Sequence, residues 1–202
     1  AISPEEAFRL VRARAQLMQI ASSQNPSGMA AVMGFEKGKA IEVCVETGVQ
    51  LANINTAEQL VIAGAEGPLA NAIRIFEERG AKRVVRLEVS GAFHSEIMRS
   101  VQEQLTTEIT KTAIHGLSVP VIANTTAQPI QTPEEIRIEL SRQLCGCVLW
   151  QQSIEYMLGE GVTRLVEIGP GKVLSGLARR IDTQVEIITL GHLDAITSLK
   201  LS

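Results

Sequence analysis

Apolar residues recur at helical spacing from the first turn of the chain, at Ala7, Leu10, Val11, Leu17 and Met18. Ser3-Pro4-Glu5-Glu6 opens this helix with a capping serine, proline at the first helical position and an acid three residues after the cap. Of the arginines it carries, Arg9 and Arg12 are expected in solvent and Arg14 on a different face, nearer the apolar stripe. From residue 27 the pattern changes. Residues 27–35 read as a strand, 36–48 as a helix closed by Gly48, and 49–55 and 58–64 as two strands joined by a very short turn. An amphipathic helix over 65–80 ends at Gly80, and 83–89 reads as a strand. The order β-α-β-β-α-β is the ferredoxin-like arrangement, a compact unit whose neighbouring ends let it be inserted into another domain.

Beyond residue 90 the spacing predicts a long helix over 95–114, a short strand over 119–126 ending in polar residues, and a helix over 132–144 with a Thr-Pro-Glu-Glu start. A helix near 150–159, a strand over 163–169, a Gly-Pro-Gly turn and a helix over 172–181 follow. Strand, glycine turn and helix in that order point to an α/β domain with parallel strands. The expected organisation is therefore a large α/β domain from residues 1–26 and 91–202, interrupted by a ferredoxin-like subdomain over 27–90.

Composition narrows the function classes. With 202 residues, 45% apolar, 20% charged and a net charge of −3, the chain is globular and lacks the basic patch that nucleic acid would require. No apolar run approaches the roughly 20 residues of a membrane span, and no signal peptide is read. Cys44, Cys145 and Cys147 cannot all pair with one another and have no second Cys/His cluster nearby, so reduced thiols of a cytoplasmic protein are expected and no metal.

The stretch SGAFHS (90–95) holds one of only three histidines, between small residues and a hydroxyl, at the junction of the two expected domains. Such a side chain can act as a base at a cleft, or simply fill a turn. A base needs a partner to deprotonate, and no serine sits in a G-x-S-x-G elbow: Ser175 falls inside a helix and Ser27 follows Asn25-Pro26. Gly169-Pro170-Gly171 could cradle a phosphate, although a tight strand-to-helix connection explains it as well. His115 and His192 have no recognisable partners.

Six stretches in order resemble the malonyl-CoA:acyl carrier protein transacylase (S-malonyltransferase) family: RARAQLMQ (12–19), ANINTAEQLVIAG (52–64), GAFHS (91–95), VPVIANTTAQP (119–129), RQLCGCVLW (142–150) and LVEIGPGKVLSGLARRI (165–181). The resemblance implies an α/β-hydrolase-like large domain with an inserted ferredoxin-like subdomain. It implies ping-pong transfer of malonyl from malonyl-CoA, through a serine ester, to the phosphopantetheine thiol of an acyl carrier protein in fatty-acid synthesis. By the same resemblance His94 is the histidine that activates the serine, and Arg14 the arginine that pairs with the malonyl carboxylate. Gln143, Asn53, Asn55 and Asn124 border the cleft, and Arg179 and Arg180 serve coenzyme A phosphates or the acidic carrier protein. No cofactor is implied, and a monomer is expected at full length. The family's serine elbow lies N-terminal to the arginine helix, so the chain reads as the C-terminal two-thirds of such an enzyme, inactive alone. A polyketide synthase-type acyltransferase and a non-catalytic carrier-protein-binding module are the alternatives.

Overall fold

A computed structural model describes residues 1–192. The first helix, α1 (Pro4–Gln24), starts where its cap lies, with the Ser3 hydroxyl accepting the Glu6 N–H. Its inner stripe runs through Leu10, Leu17, Met18 and Ala21. Val11, expected in that stripe, is 66% exposed, as is Phe8 at 71%, so the buried face is narrower than the spacing suggested.

Then follow β1 (Ser27–Met33), α2 (Lys37–Thr47), β2 (Gln50–Thr56), β3 (Gln59–Ala65), α3 (Glu66–Glu78) and β4 (Arg83–Arg86). The strands form one antiparallel sheet in the order β2-β3-β1-β4. Because β1 is central and covered on both faces, its sequence is a continuous apolar run rather than an alternation. Ala30 and Val32 point to the core beneath α2 and α3, while Met29 and Ala31 line a second cluster on the opposite face. Phe35 and Phe76 anchor the first core edge to face, with ring centroids 5.0 Å apart. Helix α2 stops at Gly48, whose φ of 76° is the left-handed conformation that glycine adopts without strain. The fourth strand ends at Arg86 rather than 89, because Leu87 makes the last hydrogen bond to β1, to the Met29 carbonyl, and the chain leaves the sheet beyond it.

The long helix expected over 95–114 is two elements: a 3-10 turn, Glu96–Val101, and α4 (Gln102–Lys111). The expected strand over 119–126 shrinks to β5 (Val121–Ile122), paired with the unexpected β6 (Pro129–Ile130). Between them the chain turns through Ala127, with φ 55°. Helix α5 (Pro133–Arg142) opens with a reciprocal capping box between Thr132 and Glu135. Helix α6 (Trp150–Gly159), β7 (Arg164–Ile168), α7 (Val173–Ile181) and β8 (Glu186–Leu190) complete the described chain. The strands β7 and β8 pair in parallel. The segment between α5 and α6 is stitched to the edge of β2: Val148 donates to the Ala52 carbonyl, and Ile54 donates to that of Val148. Among the described residues, no helix is long and apolar enough to cross a membrane.

Candidate functional site

His94 is held by local geometry before any partner reaches it. The chain turns sharply after β4: the Ala92 N–H donates to the Ser27 hydroxyl, and the buried Ser95 hydroxyl donates back to the Ala92 carbonyl. Phe93 wedges between the helical core and the cluster under the sheet. His94 itself lies at φ 57°, a left-handed conformation that is uncommon for a side-chain-bearing residue and is found disproportionately at functional sites.

The imidazole then meets the end of α5. Its Nδ1 lies 2.9 Å from the Gln143 carbonyl oxygen. A carbonyl only accepts, so Nδ1 carries the proton and Nε2 keeps its lone pair. That carbonyl is available because Gln143 is the C-cap of α5, where the last carbonyls lack intrahelical partners. The side chain of the same residue faces the other way, and the Arg14 guanidinium donates Nη2 to Gln143 Oε1 at 2.7 Å. Arg14 comes from the inner stripe of α1 and is half-buried, whereas Arg9 and Arg12 are exposed. One residue thus binds the base through its main chain and the cation through its side chain.

Electrostatics follow from this packing. Burial, foremost, lowers the proton affinity of His94, the Arg14 charge lowers it further, and the carbonyls of Gln143 and Gly146 push against both. The imidazole is consequently neutral at pH 7, as a general base must be. Burial also lowers the affinity of Arg14 for its proton. Among the described residues no carboxylate pairs with this arginine. The site is therefore an uncompensated cation beside an unprotonated base, suited to an anionic substrate that must lose or pass on a proton.

The remaining sequence candidates stand apart to different degrees. Asn124 borders the cluster, its carbonyl accepting from Leu149 and its neighbour Thr125 packing over Gly146. Asn53 pairs with Val148 across the β2 edge. Asn55 lies toward the far end of β2 from Gln50, whose side chain caps the Glu96 N–H beside His94. Arg180 reaches Gln59 at that same far end, and Arg179 is exposed. The Gly-Pro-Gly turn offers no phosphate cradle, because the Glu167 carboxylate already accepts the Leu174 and Ser175 N–H groups and the Ser175 hydroxyl. A groove of about 810 Å³ lies between α1 and α4, lined by Leu17, Ile20 and Gln104 rather than by His94. No metal-ligating cluster exists among the described residues.

Sequence reasoning missed Gly146 and the link from Glu139 to Thr125. Glu139 accepts both the N–H and the hydroxyl of Thr125, tying the Asn124 turn to α5. Nothing in the local spelling signals a contact between residues 14 apart on a turn and a helix.

Comparison with known proteins gives one consistent result. The family described as acyl transferase domain matches residues 1–186. The malonyl CoA-acyl carrier protein transacylase of Bacillus subtilis is 37% identical over 201 residues, 97% of this chain and 63% of that protein. The acyl-carrier-protein S-malonyltransferase of Bartonella henselae superposes with a TM-score of 0.93 at 35% identity, covering 98% of this chain and 64% of that one. A malonyl-transacylase solved in complex with a type II polyketide synthase acyl carrier protein superposes with a TM-score of 0.93 at 32% identity, over 98% of this chain and 66% of its own. The chain therefore spans about two-thirds or slightly less of the relatives it matches.

Proposed function

The chain belongs to the acyl transferase domain family, and we propose that it carries the base and the carboxylate anchor of a malonyl-transfer site. On this reading malonyl-CoA is the donor and the phosphopantetheine thiol of an acyl carrier protein the acceptor. The antiparallel sheet with α2 and α3 is a ferredoxin-like subdomain set into an α/β-hydrolase-like domain to which β7, β8 and the flanking helices belong. The observation that carries the proposal is the meeting of Arg14 and His94 on Gln143.

Each atom has a task. Arg14 receives the terminal carboxylate of malonyl, the group that separates malonyl from acetyl, with the planar two-pronged contact that a guanidinium makes. Nε2 of His94 takes the hydroxyl proton of a serine as its oxygen attacks the thioester carbonyl, and returns it to the departing coenzyme A thiolate. In the second half the carrier thiol gives its proton to Nε2 as its sulfur attacks the ester, and Nε2 passes that proton to the departing serine oxygen, restoring the neutral ring and the free hydroxyl. Base catalysis of this kind contributes roughly 10²–10⁴-fold. These 202 residues contain no serine in a G-x-S-x-G elbow, so the nucleophile comes from residues outside them and the chain alone forms no malonyl ester. Arg179 and Arg180 are exposed cations toward which an acidic carrier protein would be drawn.

The test pairs the chain with a serine-bearing segment and compares kcat/KM for malonyl-CoA and acetyl-CoA. In Arg14→Ala, malonyl transfer should fall by roughly several hundred-fold while acetyl transfer holds or rises, since removing one member of a buried ion pair costs about 3–5 kcal/mol. A ratio that does not move would end the carboxylate assignment. The likeness to a transacylase seen with a polyketide-type carrier protein favours a second reading, in which the acceptor is a polyketide carrier. Transfer rates to the two kinds of carrier protein separate the pathways.

A further inference from the structure

We propose that Gln143 couples the two halves of the site, so that a carboxylate seated on Arg14 strengthens His94 as a base. The inference rests on the reading that Arg14 receives a substrate carboxylate, and goes beyond it: the anchor would act on the chemical step as well as on binding.

Gln143 fixes both groups at once, its carbonyl 2.9 Å from His94 Nδ1 and its Oε1 2.7 Å from Arg14 Nη2. Neither the ring nor the guanidinium can shift far without the other, so their charges act on each other at a set separation. The ring meets the end of α5 and the Cys145-Gly146 segment that follows it, with Arg14 of α1 close by, and the 3-10 turn comes next in the chain. The 3-10 turn presents Glu96 and Arg99, which are exposed and paired with each other. On α5, Arg142 is exposed and Glu139 is engaged with Thr125. The remaining thiol nearby, Cys145, is held protonated by partial burial. Arg14 is thus the charged group that acts on the ring, and its positive charge opposes protonation.

During acyl transfer the ring must become an imidazolium, and an unpaired Arg14 works against that step. A carboxylate on the guanidinium's remaining N–H donors cancels the opposition while Gln143 keeps its own contact. The benefit is greatest when the ring is protonated, in the transition state, so it raises kcat rather than only lowering KM. A neutral acyl group brings no such charge and meets a weaker base.

The experiment uses the 202-residue chain and needs no turnover. The imidazole carbons of His94 are titrated by NMR, with the exposed His115 and His192 as internal references. The probes are monomethyl malonate, whose ester stands where the thioester would be, and the neutral ester methyl propionate. Monomethyl malonate should move the Arg14 side-chain resonances and raise the His94 midpoint by about half a pH unit or more, the scale of one charge several ångströms away in a partly solvated site. Methyl propionate should leave the midpoint where it is. In Gln143→Glu, which sets a permanent carboxylate on the same contact while keeping the main-chain carbonyl, the midpoint should be raised without any probe and should no longer respond to one. Movement at Arg14 with an unmoved His94 midpoint would overturn the coupling alone. No movement at Arg14 at saturating half-ester would overturn the carboxylate reading and the coupling together.

Discussion

His94 combines a left-handed backbone with a buried ring, and both have consequences for stability. Because the folded ring binds its proton less readily than a free histidine, which titrates near pH 6.5, the unfolded chain gains a proton first as pH falls. Stability contributed by the neutral ring is therefore present above pH 6.5 and is lost below it, down to the folded pKa. Asparagine tolerates the left-handed conformation better than alanine, so His94→Asn keeps the turn while removing the titrating group. Denaturant melts at pH 7.5 and 5.5 should show a smaller acid-induced loss for His94→Asn than for the native chain. Equal losses would mean that the ring is protonated as easily folded as unfolded. The sequence showed that a histidine stood at this junction, but not which of its nitrogens was free. That was decided by Gln143, forty-nine residues away.

At the scale of elements, the approach of α1 to the His94 turn depends on one missing methyl group. A Cβ on Gly91 would stand 2.1 Å from Ser22 Oγ and 2.7 Å from its Cβ. Gly91 therefore lets the turn cross the last turns of α1, two helical turns beyond Arg14. We expect Gly91→Ala to destabilise the chain by about 1–3 kcal/mol, the usual range for overpacking. Ser22→Gly added to it should recover part of that loss despite its own helix cost, as thermal melts of the two single variants and the double variant would show. Independent, additive effects would mean that the turn and helix do not touch. Legibility followed the same logic of local against distant causes. Helix α5 was readable because its capping box is local, β1 and β3 because each is an apolar run, and β2 because its apolar and polar residues alternate over 52–55. The 3-10 turn was read as the start of α4 because Met98, Val101 and Leu105 bury the same face in either geometry. The strand β8 was missed because its partner, β7, lies across α7, while β5 was read too long and β6 missed because the turn through Ala127 cuts their pairing to two residues.

Across the whole molecule, cohesion is uneven. The central strand β1 is paired on both sides and covered on both faces. The pair β7 and β8 is a two-stranded parallel sheet with Ile168 72% and Val166 38% exposed, and Val173 at the start of α7 is 71% exposed. Parallel sheets ordinarily occur with both faces covered, and two strands alone are marginal. Hydrogen exchange should therefore find the β1 amides slowest and those of β7 and β8 fastest among the paired strands. A dye that reports exposed apolar surface should bind the native chain. Equal protection in the two sheets, with no dye binding, would show that the pair is covered in solution. This contrast was not legible in the sequence, since the spelling of a strand does not say how many neighbours it pairs with or what covers its faces.

The double duty of Gln143 also bears on how such a site can change over generations. Its carbonyl is part of the main chain, so the orientation of His94 survives almost any substitution at position 143, whereas the grip on Arg14 belongs to the amide alone. Variation there can alter which acyl groups are favoured while leaving the chemistry running. A lineage can then drift from one substrate to another through intermediates that still work, because the feature under innovation and the feature under constraint reside in different atoms of one residue.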